Sequence, residues 1–337
     1  MTWVVWRQYR LPGAIALALL AAFAAAELTT GFQMAAAWHA LLQRCPGTAG
    51  AQQQGPDAAC SGGGIVGVLG NDLRVLSVLV PALLGILLGA PLVAHELETG
   101  TAGFAWTQGI TRGRWFLAKA GWLLLAAALA GGAVTALVTF WSGPVNAMRG
   151  AQFGGNYFDT QGIVPVGYAV FATAAGIAAG VLLRRTLPAI VVTLGAFIGF
   201  RLLFVNVIRA HLMPAVTTVT SMTSTWSPPG IAWSLGATVI GPSGQPFVSD
   251  IGFNGYPLTA ACARLIPGGL ASQAGPVPPS VVNAALSCMQ RAGFRQAVTY
   301  QPGWRYWPFQ GIETVIYLLF AAALVAVAWY VIRRRDA

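Results

Sequence analysis

The residues with the most chemical potential lie in one short stretch. It reads His95-Glu96-Leu97-Glu98-Thr99-Gly100-Thr101, then Trp106-Thr107-Gln108, then Thr111-Arg112-Gly113-Arg114-Trp115, with Lys119 one turn further on. Two carboxylates, a Gly-Thr turn, an aromatic-polar segment and a basic end suit docking rather than bond making. Phe104, Trp106 and Ile110 make one apolar face of a short surface helix. Thr101 is placed to cap it, and Thr111 to cap the element that follows. An interfacial helix without a partner is the plainer alternative. Catalytic sets are missing. His95-Glu96 lacks the second His of a zinc-protease helix, and no nucleophile elbow occurs. A phosphate-gripping loop needs Gly-Lys-Ser/Thr, yet the only lysine stands in Ala118-Lys119-Ala120. The reading is no enzyme, no catalytic residue and no metal site in this chain.

Three further charges interrupt apolar sequence: Glu27, Arg201 and Glu313. At ~1.5 Å per helical residue, Glu27 falls roughly 24 Å along the first apolar run and Arg201 roughly 21 Å along the fifth. Glu313 opens the last run. Ionisable groups in a bilayer are costly, so they pair or line a wet path. Arg201 is therefore expected to pair with Glu27 or Glu313, as a structural clasp or an outer gate.

These residues need helices to hold them. Of 337 residues, 56% are hydrophobic and only 8% charged, against about 25% charged in soluble domains. Six apolar runs are long enough to cross a hydrocarbon core of roughly 30 Å: Leu11–Phe32, Val75–Val93, Phe116–Phe140, Pro165–Leu183, Leu187–Ile208 and Ile312–Ile332. The net charge of +10 is read as arginines flanking spans, not as a nucleic-acid surface. With the N-terminus inside, residues 1–10, 94–119, 184–186 and 333–337 face the cytoplasm and hold ten of the nineteen basic residues. Both termini are then cytoplasmic. Arg7, Arg10 and the following apolar run also resemble a signal peptide, which would leave five spans.

On this layout Cys45 and Cys60 share the first outer loop, and Cys262 and Cys288 the last, on the oxidising side. Within-loop pairing, Cys45–Cys60 and Cys262–Cys288, is the simplest of three possible pairings. The last outer loop is aromatic-rich (Trp226, Trp233, Phe247, Phe253, Tyr256, Trp304), so it is expected to fold. Ile231–Ile240, a Gly-Pro-Ser-Gly turn and Phe247–Ile251 predict a hairpin. Ser280 starts a helix that runs to Arg291 and stops at Gly293. Tyr300–Gln310 predicts an aromatic anchor at the membrane surface. Gly85/Gly89, Gly176/Gly180 and Gly195/Gly199 allow close helix approach, and Pro81 and Pro91 are expected to bend or loosen span two. The expected fold class is an all-α polytopic membrane protein with six transmembrane helices and both termini cytoplasmic. A small disulfide-tied extracellular subdomain precedes the last helix. Spans one to five and a loop at 94–115 occupy 1–208, the loop unit 209–310, and span six with its tail 311–337.

The stretch from Glu96 to Lys119 resembles the loop of type-2 ABC exporter permeases, most nearly a small-permease branch common in high-GC actinobacteria. Tyr300-Gln301-Pro302 with Arg305, Trp307, Pro308, Phe309, Gln310 and Glu313 is similar to the segment before that branch's last span. The resemblance implies a transmembrane subunit of an ATP-driven exporter in a bacterial cytoplasmic membrane. Its partners would be a cytoplasmic ATPase, a second permease copy (identical or not) and membrane lipids, with no nucleic acid. ATP and Mg would sit on the ATPase, leaving no cofactor in this chain. It further implies that Glu96, Glu98, Gly100, Thr101, Trp106, Gln108 and Arg112 form the ATPase-coupling surface. Spans two and five flank the dimer interface in relatives, which makes Gly195, Gly199 and Arg201 candidates there. Thr111-Arg112 departs from the Pro or Val then Ser-Arg of many relatives. A lipophilic or amphipathic substrate fits the apolar spans. The alternative function is a receptor that binds an outer ligand without flux.

Overall fold

The computed structural model describes residues 2–44, 77–99, 111–149, 152–222, 231–249, 252–253, 256–265 and 279–334. Among them, six helices are long and apolar enough to cross a membrane. Span one lies within the helix Thr2–Arg44, span two is Ser77–Glu98, and span three begins the helix Arg112–Arg149. Span four is Val164–Leu183, span five Thr186–His211, and span six the helix Tyr306–Arg334. The first helix has 43 residues, roughly 65 Å at 1.5 Å per residue, so it outruns any bilayer core.

Two compact units emerge, one from residues up to Arg209 together with those from Tyr306 on, the other Ala210–Arg305. In the first, span four is the axis. Buried residues make up 78% of its apolar stretch, against 22% in span five. Spans two and four meet through their glycines. A Cβ on Gly176 would lie 2.6 Å from the Gly85 carbonyl oxygen, and one on Gly89 2.6 Å from that of Thr173. Gly180 faces the Ala90 oxygen the same way. Gly195 and Gly199 meet nothing within 4 Å among the described residues. Between Pro81 and Pro91, span two opens into a π-helical turn at Gly85–Gly89. Only two residues join spans four and five. Arg184 takes a left-handed φ of 53° with its N–H on the Gly180 carbonyl, a C-terminal position that glycine usually fills.

The second unit is a three-stranded antiparallel sheet, β1 (Val216–Ser221), β5 (Arg295–Gln301) and β2 (Trp233–Ile240), in the order β1-β5-β2. A short pair, β3 (Gly252–Phe253) and β4 (Tyr256–Pro257), stands apart from it. The predicted hairpin is corrected. Ile240 makes only a bridge to Pro246, and the strand partner of β2 is β5, more than fifty residues on. A local turn signal brought the chain round, but β5, with Ala297, Val298, Tyr300 and Gln301 all buried, supplies the pairing surface. The predicted helix forms, one residue earlier than Ser280, as Pro279–Arg291. Gly293 (φ 84°) ends it, and the Phe294 N–H closes back on the Met289 carbonyl at 3.1 Å. Met289, Ala285 and Cys262 pack with Val239, Met222 and Leu258.

Cys262 and Cys288 form a disulfide across this core, with Cα atoms 5.6 Å apart. Cys45 and Cys60 lie outside the described residues. Replacing Cys262 and Cys288 by Ala is expected to destabilise this unit by about 3 kcal/mol, as for a closed loop of a few tens of residues. Limited proteolysis of the whole protein measures it, and cleavage within 210–305 as slow as in wild type would refute the estimate. The aromatic segment divides. Tyr300 and Gln301 belong to β5, while Trp304 and Trp307 are largely exposed. Tyr306 and Phe309 pack against Phe153 at ring distances of 5.9 and 5.1 Å.

Candidate functional site: two charged ends of one helical bundle

The spans run antiparallel. Glu96, Glu98, Lys119, Arg185 and Arg334 therefore collect at one end of the bundle, and Arg209, Glu313 and the start of span four at the other.

At the first end, span two delivers two carboxylates to two different neighbours. Glu96 is buried and pairs with Lys119 of span three, whose ammonium lies 4.7 Å from the centre of the Trp115 ring. Trp115 and Phe116 sit in a core with Val93, Ile177, Ala328 and Ile332, which fixes the pair's surroundings. Glu98 accepts hydrogen bonds from Thr186, 3.1 Å from its N–H and 2.7 Å from its hydroxyl. It thus caps span five from another helix, supplying an acceptor to an otherwise unpaired N-terminal N–H. Thr99 closes span two with its own N–H and hydroxyl on the His95 carbonyl. Arg112 begins span three. Gly100, Thr101, Trp106 and Gln108 lie outside the described residues. Of the expected coupling surface, then, Glu96 is turned inward and Glu98 reaches sideways. Both tie span two to a neighbouring helix, Glu96 from a buried position and Glu98 from an exposed one. The cause is Lys119, which lies one helical turn beyond Trp115 and takes the buried position facing span two.

At the second end four charges share one buried cluster. The Arg201 Nη2 donates to Asp159 Oδ2 at 2.8 Å. Arg209 forks onto Glu313, with Nε 2.9 Å from Oε2 and Nη2 2.8 Å from Oε1, and also pairs with Asp159. The Tyr168 hydroxyl donates to Glu313 and accepts from Arg209 Nη2 at 3.1 Å. The two guanidiniums lie over aromatic rings, Arg201 over Tyr168 at 4.7 Å and Arg209 over Phe158 at 4.6 Å. Two cations and two carboxylates balance, which is the condition for keeping them buried. The backbone around the cluster is held as well. Gln310 of span six accepts from the N–H groups of Ile163 (3.0 Å) and Val164 (2.9 Å) and donates to the Phe158 carbonyl at 3.0 Å. Gly162 (φ 74°) makes room for it, because a Cβ there would meet the Gln310 side chain at 2.6 Å.

The expected pairing of Arg201 with Glu27 or Glu313 is corrected: its carboxylate is Asp159. Arg201 and Glu313 belong to one cluster but are joined through Asp159, Arg209 and Tyr168. The reason is a π-helical turn at Phe204–Ile208. One α-turn of 3.6 residues plus one wider turn sums to roughly eight, so Arg209 comes round to the face of Arg201 and takes Glu313 first. Glu27 stands apart. It is 1% exposed, and its Oε2 has no hydrogen-bond partner among the described residues. Sequence reasoning passed over Asp159, Tyr168, Arg209 and the capping role of Gln310. The available signal was two arginines eight apart on one span facing a single opposing glutamate in span six, a surplus of charge that calls for another buried acid. Among the described residues no group of His, Cys, Asp or Glu is placed to hold a metal ion.

Residues 17–209, more than half of the chain, match the family model described as ABC-2 membrane transporter related. No curated protein and no solved structure matches.

Proposed function

The chain belongs to the ABC-2 membrane transporter related family, and from that premise we propose that it is the permease subunit of an ATP-driven exporter. A separate ATPase, holding ATP and Mg, docks on the segment around 94–115 at the cytoplasmic face of the bacterial cell membrane, where both termini also lie. The unit 210–305 faces outward. A second permease copy completes the path, and the cargo is lipophilic or amphipathic. The reading is carried by the tie of span two to spans three and five through Glu96–Lys119 and Glu98–Thr186. A push on the residues just after Glu98 reaches three helices at once. At the far end the Asp159–Arg201–Arg209–Glu313 cluster latches spans five and six to the approach to span four. A coupled motion at that end has to strain or open this latch.

Co-expression with an ABC ATPase encoded beside the gene, followed by ATP hydrolysis in liposomes, tests the proposal. The wild-type chain should co-purify with the ATPase. Glu96→Lys places two cations together and should lower the hydrolysis stimulated by the permease at least about tenfold, equivalent to ~1.4 kcal/mol. The exchange Glu96→Lys with Lys119→Glu rebuilds the pair and should restore part of the loss. A wild-type chain that never holds the ATPase would point instead to a receptor without flux.

A further inference from the structure

At the end of the bundle that carries Glu96 and Lys119, a crevice of about 740 Å³ opens between the start of span three and the end of span six. At ~30 Å³ per liquid water it has room for roughly 25 waters. Arg112, Arg114, Leu117 and Ala118 line one wall, Trp329 and Arg333 the other, and none of the described lining residues is acidic. Arg114 and Arg333 are exposed, Arg112 half-buried. The Arg333 guanidinium lies 4.6 Å from the centre of the Trp329 ring, so the aromatic wall itself carries a cation. The crevice also receives the first turn of a 38-residue helix, whose leading N–H groups have no acceptor within the helix. The Trp329 Nε1 is buried there, with no hydrogen-bond partner among the described residues.

These features ask for a compact anion with several acceptor oxygens. What lies beyond the mouth decides which one. Ala118, Gly121, Leu125 and Leu129 follow one another at three- and four-residue steps along one face of span three. Leu125 and Leu129 are 51% and 66% exposed, and a Cβ on Gly121 would meet none of the described residues within 4 Å. The cationic mouth therefore opens onto an unbroken apolar track with a notch at glycine, which a free phosphate would leave uncovered. Basic pockets between membrane helices are where phospholipid headgroups bind. We propose that this crevice binds the phosphate of an anionic phospholipid, with an acyl chain along the span-three track.

Native mass spectrometry of the intact, detergent-solubilised chain tests this, using phosphatidylglycerol and phosphatidylcholine of equal chain length as probes. The wild type should retain phosphatidylglycerol at least about fivefold more than phosphatidylcholine, a difference of ~1 kcal/mol. Arg112→Gln/Arg114→Gln/Arg333→Gln should bring that ratio close to one. Arg184→Gln/Arg185→Gln/Arg334→Gln removes the same charge elsewhere and should keep it. Ala118→Phe leaves every arginine in place, fills the crevice and should lower phosphatidylglycerol retention, which covers the case of a triple variant that does not fold. Equal loss in both triple variants would reduce the effect to bulk charge and overturn the proposal. So would an unchanged ratio in the crevice variants, or release of the lipid by millimolar inorganic phosphate, which would make the site one for soluble anions.

Discussion

Arg209→Met is expected to be the most damaging single side-chain removal in the helical unit, costing about 3–5 kcal/mol. Arg209 is 3% exposed and holds both carboxylates of the cluster, Glu313 through a two-point fork and Asp159 beside it. Its loss leaves Arg201 alone to offset two buried anions, and among the described carboxylates Arg201 pairs with Asp159 alone. Glu313, fully buried, would keep the Tyr168 hydroxyl as its one donor among the described residues. The cost comes from an uncompensated charge, not from a missing attraction, and that gives the test its sign. Adding Glu313→Gln to Arg209→Met returns the cluster to one cation and one anion. The double variant should therefore recover a substantial part of the loss, a coupling of at least about 1 kcal/mol in a double-mutant cycle. Thermal unfolding of the purified chain in detergent measures all three. A double variant less stable than Arg209→Met would show that the carboxylate is not what the arginine satisfies.

How far such a cluster can be foreseen depends on distance along the chain. The spans were legible because twenty apolar residues with few charges have few other places to go, and the boundaries differ from expectation only by a few residues at most ends. Arg201 was legible as an expensive charge, and its need for a carboxylate followed. Which carboxylate did not, because the answer turns on one extra residue in a helical turn at Phe204–Ile208 that no local preference announces. Asp159 was hidden for a related reason. It stands in a connection of mixed composition, and only its closure by Gln310 from span six brings it under the helices. In the unit Ala210–Arg305, helix Pro279–Arg291 carried its start and stop in adjacent residues and was readable. Strand β5 follows immediately but reads as Arg-Gln-Ala-Val-Thr-Tyr-Gln, and its two partners are remote in sequence. Local punctuation was informative, whereas non-local pairing was not.

The three Gly-x-x-x-Gly pairs look alike as sequence, and the structure separates them into two that are closed and one that is open. That separation sets the second large effect. Gly176→Ala should destabilise the helical unit by about 2–3 kcal/mol, near the upper end for overpacking. The added methyl would sit 2.6 Å from the Gly85 oxygen, 2.7 Å from the Ala90 nitrogen and 2.9 Å from the Gly89 carbonyl carbon. All three are backbone atoms, so no side chain can swing aside and spans two and four must separate. Gly176→Leu should prevent the two helices from meeting at all. Gly199→Ala makes the same chemical change on span five, where none of the described residues lies within 4 Å. Helix preference then acts alone, and the substitution should be neutral or stabilising by up to about 1 kcal/mol. Unfolding of the isolated chain in detergent distinguishes the two, and equal effects would sink the close approach of spans two and four. A Gly199→Ala chain that is stable alone but fails to associate with a second copy would instead locate the open pair in the contact between copies. The closed pairs would then fix the fold of one subunit while the open pair serves its assembly.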